Sequence, residues 1–136
     1  MERVRFIIFC LICQLSPLSQ AVELIAHPSV PVDTLSATAA RNIFTMRTLY
    51  WPSGRPIKVF VLSDENSLHQ QFSKTSLHVF PYKLRRIWDR NIYSGTGEAP
   101  ITVDSEEEML KAISSSPGAI GYANKGNDNV RIIKID

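Results

Sequence analysis

The 136-residue sequence predicts an α/β domain, a mixed sheet covered by helices, on three observations. Residues 57–62 (IKVFVL) are nearly continuously apolar and rich in β-branched side chains, the composition of a central strand covered on both faces. On either side of this run, apolar residues recur at three- and four-residue spacing, the pattern of helices with one buried face. Strand-like and helix-like stretches then alternate to the end of the chain without an internal repeat, which argues for a sheet layered with helices.

In chain order, the apolar run 22–26 is bounded by His27 and Pro28, with Pro31 close behind, which predicts a strand ending in a rigid turn. Ser36 suits an N-cap, and Leu35, Ala39, Ala40, Ile43 and Phe44 follow at helical spacing. The proline- and glycine-rich run 51–56 is a turn leading into the central strand. Residues 63–66 supply polar caps for a second helix with Leu68, Phe72 and Thr75 on its inner face. Pro81 fits the first turn of a third helix reaching about Asn91, with Leu84, Ile87 and Trp88 inward and Lys83, Arg85, Arg86 and Arg90 outward. After the loop 94–97, residues 101–103 read as a short strand. Ser105 and Glu108 then form a capping box for a fourth helix, with the acidic run 106–108 at the positive end of the helix dipole and Met109, Leu110 and Ile113 inward. Pro117 and Gly118 end that helix, 119–122 is a strand, 125–129 a turn and 130–135 a final alternating strand.

The first 21 residues have another character. Arg3 and Arg5 precede ten mostly apolar residues, 6–15, and the chain turns polar near Pro17, with small residues at Ser19 and Ala21. This is the order of a secretory signal peptide cut before Val22. The apolar run is shorter than the roughly 20 residues a membrane span needs. The expectation is a cleaved signal peptide over 1–21 and one domain over 22–136, working in the periplasm. Cys10 and Cys13 both lie in the leader, so the exported domain holds no cysteine and depends on packing alone. Without Arg3, Arg5 and Glu2, the totals of 15 basic and 13 acidic side chains become 13 and 12, a balance that gives no electrostatic basis for binding nucleic acid. The basic cluster 83–90 reads as a solvated helix face, with an anionic partner or lipid headgroup as the alternative.

The residue patterns of catalysis are missing. His27, His69 and His78 have no metal-ligand spacing with one another or with a carboxylate pair and read as surface or turn residues. There is no Gly-x-Ser-x-Gly elbow and no phosphate-loop Gly-Lys-Ser/Thr, and Gly95-Thr96-Gly97 lacks the third glycine of a dinucleotide loop. Neither an enzyme nor a metal or cofactor is expected. The pattern does permit anion binding: the polar loop 63–67 follows a central strand and opens a helix, where backbone N–H groups are free and Asn66 and Ser67 add side-chain donors. Asp64 and Glu65 oppose an anion there, and plain capping explains the same residues. The loop at Ser94, Gly95 and Thr96 suits either a small anion nest or a flexible turn.

The order of these motifs resembles the later portion of the periplasmic substrate-binding proteins of phosphate ABC transporters. The matching residues are Leu35-Ser36 leading to Ile43-Phe44-Thr45, Trp51 with Gly54 and Ile57, the stretch 59–67 with Phe72, the loop Ser94-Gly95-Thr96-Gly97, and Pro117-Gly118-Ala119-Ile120-Gly121-Tyr122. Together they cover about residues 22–123. The resemblance implies a periplasmic-binding-protein-like (type II) α/β fold, and relatives of this type close two lobes on a phosphate held by helix N-termini, hydroxyls and an arginine. This chain has room for about one lobe. Its arginine position falls on Leu62, a glycine position on Ser67, the threonine position on Leu68, and a helix-ending glycine on Met46. An aliphatic side chain cannot replace a guanidinium clamp.

The resemblance thus implies a non-catalytic, exported domain that binds phosphate or another small oxyanion in connection with ABC-type transport. Thr45, Ser63, Asn66, Ser67, Ser94, Gly95 and Thr96 are the candidate ligand residues. A membrane transporter is the implied partner, and a second copy of the chain is a candidate for the missing lobe. The competing expectation is an interaction module that keeps the scaffold and has lost the ligand.

Overall fold

The computed structural model describes residues 21–95 and 97–136. The signal peptide read over 1–21 therefore lies almost wholly outside the described residues, as does Thr96. Six strands form one mixed sheet: β1 (Glu23–Ala26), β2 (Thr34–Leu35), β3 (Lys58–Val61), β4 (Ile101–Thr102), β5 (Ala119–Ala123) and β6 (Arg131–Ile135). Four helices cover it: α1 (Ala37–Phe44), α2 (Ser67–Thr75), α3 (Pro81–Ser94) and α4 (Glu106–Ser115). The strand order is β2-β6-β1-β5-β3-β4. β5 runs antiparallel to β1 and parallel to β3, and β4 runs parallel to β3, so β3, β4 and β5 share one carboxyl edge.

The sheet is closed from both sides at β5, all five residues of which are buried. Successive strand side chains alternate between faces. Tyr122 turns toward α1 and α2, where its ring stacks on Phe72 at 4.1 Å and lies 6.2 Å from Phe44. Gly121 turns toward α4. A Cβ there would lie 2.5 Å from the Met109 sulfur and 2.6 Å from the Ile113 methyl, so the helix can sit this close only on glycine. Gly118 is needed for a second reason: it has φ +79°, and a Cβ would lie 2.5 Å from the Pro56 carbonyl oxygen. Its own carbonyl accepts the indole N–H of buried Trp51 at 2.9 Å, which fastens the 51–56 turn to the start of β5.

The caps expected from the sequence are present. Ser36 accepts from the Ala39 N–H, Asn66 from the Leu68 and His69 N–H groups, and Ser105 from the Glu108 N–H. Glu108 reaches back to the N–H of Asp104, one residue before the position a standard capping box uses. Met46, the family glycine position, has φ 64°. The left-handed stop after α1 is thus retained on a residue that strains it, at a cost of about 1 kcal/mol.

Four local expectations are corrected. Leu35 belongs to β2, pairing with Ile135, and not to the helix that follows. α3 continues to Ser94, three residues past the expected end. Thr75 is exposed, and Ser73 faces the core instead because its hydroxyl donates to the Val79 carbonyl. His69 is not a surface residue: it is 1% exposed, on the inner face of α2.

Candidate functional site

In sheets of this kind ligands sit beyond the carboxyl ends of parallel strands, where helix N-termini converge. Here that edge is built from the loop 62–66 after β3 leading to α2, residues 103–105 after β4 leading to α4, and the turn after β5. Ser63 and Ser67 are exposed and Asn66 half-buried, so three of the sequence-derived candidates share the mouth of α2.

Several donors at this mouth already hold protein oxygens. The Asn66 Oδ1 accepts from Leu68 N at 2.9 Å and His69 N at 3.4 Å, and the Asn66 carbonyl accepts from Gln70 N. Asp64 lies beside them, with its carboxylate gripped by Arg85 through two bonds, Nε to Oδ2 at 2.7 Å and Nη2 to Oδ1 at 3.0 Å. The hydrogen bond from Arg85, together with its charge, lowers the Asp64 pKa below the ordinary carboxylate value of 3.8. At the neighbouring N-terminus of α4, the Glu108 N–H is likewise taken by the Ser105 hydroxyl oxygen at 3.1 Å. Glu106 accepts from the backbone and side chain of Asn124 at the end of β5.

Beneath the mouth lies a buried polar chain that the sequence reading missed. The Leu62 N–H, one residue past β3, donates to the Tyr122 hydroxyl at 2.8 Å. That hydroxyl lies 2.5 Å from His69 Nδ1. A phenol O–H that donates onward to Nδ1, its one other polar neighbour in this chain of contacts, pairs with the His69 tautomer protonated on Nε2. This Nε2 is buried without a hydrogen-bond partner among the described residues, 3.9 Å from Asp64 Oδ1. Burial pushes the His69 pKa below 6.5, and burial likewise raises the Tyr122 phenol above its ordinary value. A polar helix-face residue facing an unusually apolar strand with one tyrosine was the only signal of this pairing in the sequence.

The other candidates stand apart. Thr45 caps the C-terminus of α1, and its buried hydroxyl donates to the Arg41 carbonyl at 2.7 Å. Ser94 is the last residue of α3 and Gly95 its left-handed cap. This is the negative end of a helix dipole, the wrong end for an anion. Gly95 and Gly97 line a cavity of about 500 Å³ with Leu49, Tyr50, Pro56 and Ile57, where the chain enters β3, whereas Ser63, Asn66 and Ser67 follow where it leaves. Gly95 and Gly97 and the α2 mouth therefore belong to opposite ends of the sheet. Arg85, expected outward in solvent, is the guanidinium that the structure brings to the mouth, and Leu62 at the family arginine position is 1% exposed. No group of three or more metal-ligating side chains occurs among the described residues.

Solved structures share this arrangement of strands and helices. A phosphate ABC transporter substrate-binding protein from Clostridium perfringens, solved with bound phosphate, matches with a TM-score of 0.66 over 85% of this chain and 44% of its own, at 19% identity. An ABC-type phosphate transport receptor from Vibrio cholerae matches with a TM-score of 0.62 over 85% and 47%, at 14% identity. PstS from Borrelia burgdorferi matches with 0.61 over the same shares, at 13% identity. The fold is periplasmic-binding-protein-like. The chain spans less than half the length of these three proteins. No protein-family model matches the sequence, and no curated protein does.

Proposed function

We propose that this chain is an exported, non-catalytic substrate-binding-protein-like domain of the periplasm that takes phosphate or another small oxyanion weakly at the mouth of α2. The supporting observation is the fold shared with a structure holding phosphate, together with Ser63, Asn66 and Ser67 at the start of a helix beyond a parallel strand. The Ser67 N–H is the first of α2, and its hydroxyl is exposed. A transporter of the ABC type in the membrane and a second lobe, from another chain or a second copy, would complete the role. Asp64 limits the affinity, because its carboxylate stands where an anion's charge would be, so binding is on the order of millimolar.

A second reading has its own observation. Asn66 and Ser105 cap the N-termini of α2 and α4 from within, and Arg85 is held by Asp64, which suits a scaffold that no longer carries a ligand and serves as an interaction module. Phosphate titration followed by melting temperature and calorimetry separates the two. Under the binding reading phosphate raises the melting temperature by mass action, Ser67→Asp abolishes the gain, and Asp64→Asn enlarges it. No shift at tens of millimolar phosphate in either the parent or folded Asp64→Asn would leave the interaction module in its place.

A further inference from the structure

The outer face of α3 combines charge and aromatic surface in a way that neither the core nor the α2 mouth uses. With 100° between successive residues, Tyr82, Tyr93, Arg86, Arg90 and Lys83 fall within a third of a turn, opposite buried Leu84 and Trp88. All five are exposed, Tyr82 at 59% and Tyr93 at 88%. Phe80, half-exposed just before the helix, stacks on Tyr82 at 5.8 Å and carries the Lys83 ammonium 6.0 Å above its ring. Lys74, on α2, shares a cavity of about 210 Å³ with Phe80 and so extends the cationic surface. Asp89, on the same helix, and Asp64 both pair with Arg85, Asp89 at 3.6 Å. Lys83, Arg86 and Arg90 have no ion pair among the described residues.

A merely solvated face accounts for the cations and leaves the clustered aromatic rings without a role. We propose that this face docks on an anionic lipid surface, with Phe80, Tyr82 and Tyr93 seated at headgroup level and Lys83, Arg86 and Arg90 on the lipid phosphates. Amphipathic aromatic rings flanked by cations, on a helix too polar to enter the bilayer, are the composition that lies in a membrane interface. The charge complementarity selects an acidic leaflet over a neutral one. This surface is separate from the oxyanion mouth and does not depend on it.

Sedimentation of the full chain with vesicles of phosphatidylcholine, with and without phosphatidylglycerol, tests the proposal, because any contribution of residues 1–21 is common to all variants. The parent should partition preferentially onto the phosphatidylglycerol vesicles and lose that preference at high salt. Neutralising the three cations together (Lys83→Gln, Arg86→Gln, Arg90→Gln) should weaken partition about 100-fold, since each cation contributes roughly a factor of five near an acidic surface. Tyr82→Ala with Tyr93→Ala should weaken it several-fold at unchanged charge. Inorganic phosphate exchanged for chloride at constant ionic strength should leave it unchanged. All these side chains are exposed, so the variants should keep the parent's urea midpoint. Equal partition onto both vesicle types, no loss in the triple variant, or competition by inorganic phosphate would overturn the proposal. So would concentration-dependent self-association abolished by the tyrosine changes, which would assign the face to a second copy.

Discussion

Tyr122→Phe removes one oxygen atom from the centre of the domain and should cost far more than a surface change. The ring itself is unaffected, so its stacking on Phe72 at 4.1 Å and its apolar burial persist. What disappears is the hydroxyl that accepts from Leu62 N–H at 2.8 Å and meets His69 Nδ1 at 2.5 Å. Leu62 and His69 are each 1% exposed, so water cannot replace it. Leaving a buried donor or acceptor unpaired costs about 1–3 kcal/mol, and two such groups give an expected loss of about 2–6 kcal/mol. For a domain of this size, with a urea dependence of about 1–2 kcal/mol per molar, the midpoint should fall by about 1 M or more at unchanged slope. Adding His69→Leu to Tyr122→Phe removes one of the stranded groups and should recover part of the loss, a coupling readable in a double-mutant cycle. A midpoint for Tyr122→Phe within about 0.3 M of the parent would refute the reasoning.

Stability should fall as the pH drops from 7 to 5. His69 has a folded pKa below the unfolded 6.5, so its contribution is complete above about 6.5 and is lost as protons bind the unfolded state below it; urea midpoints across this range should slope in the parent and flatten in His69→Gln. Asp64 acts lower. Its folded pKa lies below 3.8, so its contribution persists above that value and is lost beneath it, outside the window of His69. Leu62→Arg, which would restore the family's arginine, should destabilise by about 3 kcal/mol or more, because the position is buried and offers the guanidinium no partner; circular dichroism showing a fully stable variant would contradict this placement. Gly118→Ala should cost about 2–4 kcal/mol in urea unfolding, through its φ of +79° and the 2.5 Å approach of its Cβ to the Pro56 carbonyl.

Local chemistry explains what could be read from residues alone. Ser36, Asn66 and Ser105 act on N–H groups two or three residues away, so their capping roles follow from neighbouring sequence. The central strand was legible for a similar reason: residues 57–62 carry too much apolar β-branched surface to leave either face in water. The fold class and five of the six strands follow from such patterns, and β2 was missed because Leu35 also fits the apolar spacing of the helix that follows it.

Tertiary structure alone decided the composition of the candidate site. Arg85 looks like part of a basic helix face, and only the packing of α3 against α2 carries its guanidinium 21 positions back to Asp64. His69 lies in a polar helical stretch, and only the approach of β5 beneath α2 buries it against Tyr122, 53 residues on. The two loops rich in small polar residues look equivalent in sequence, but the parallel direction of β3 and β4 sends 63–67 to one end of the sheet and Gly95 and Gly97 to the other. Periodicity and capping are set within a few residues of the chain. Which side chains meet across 20 or more is set by strand order and helix packing, and that is why the sequence determined the domain's architecture while the structure determined which groups face one another at its mouth.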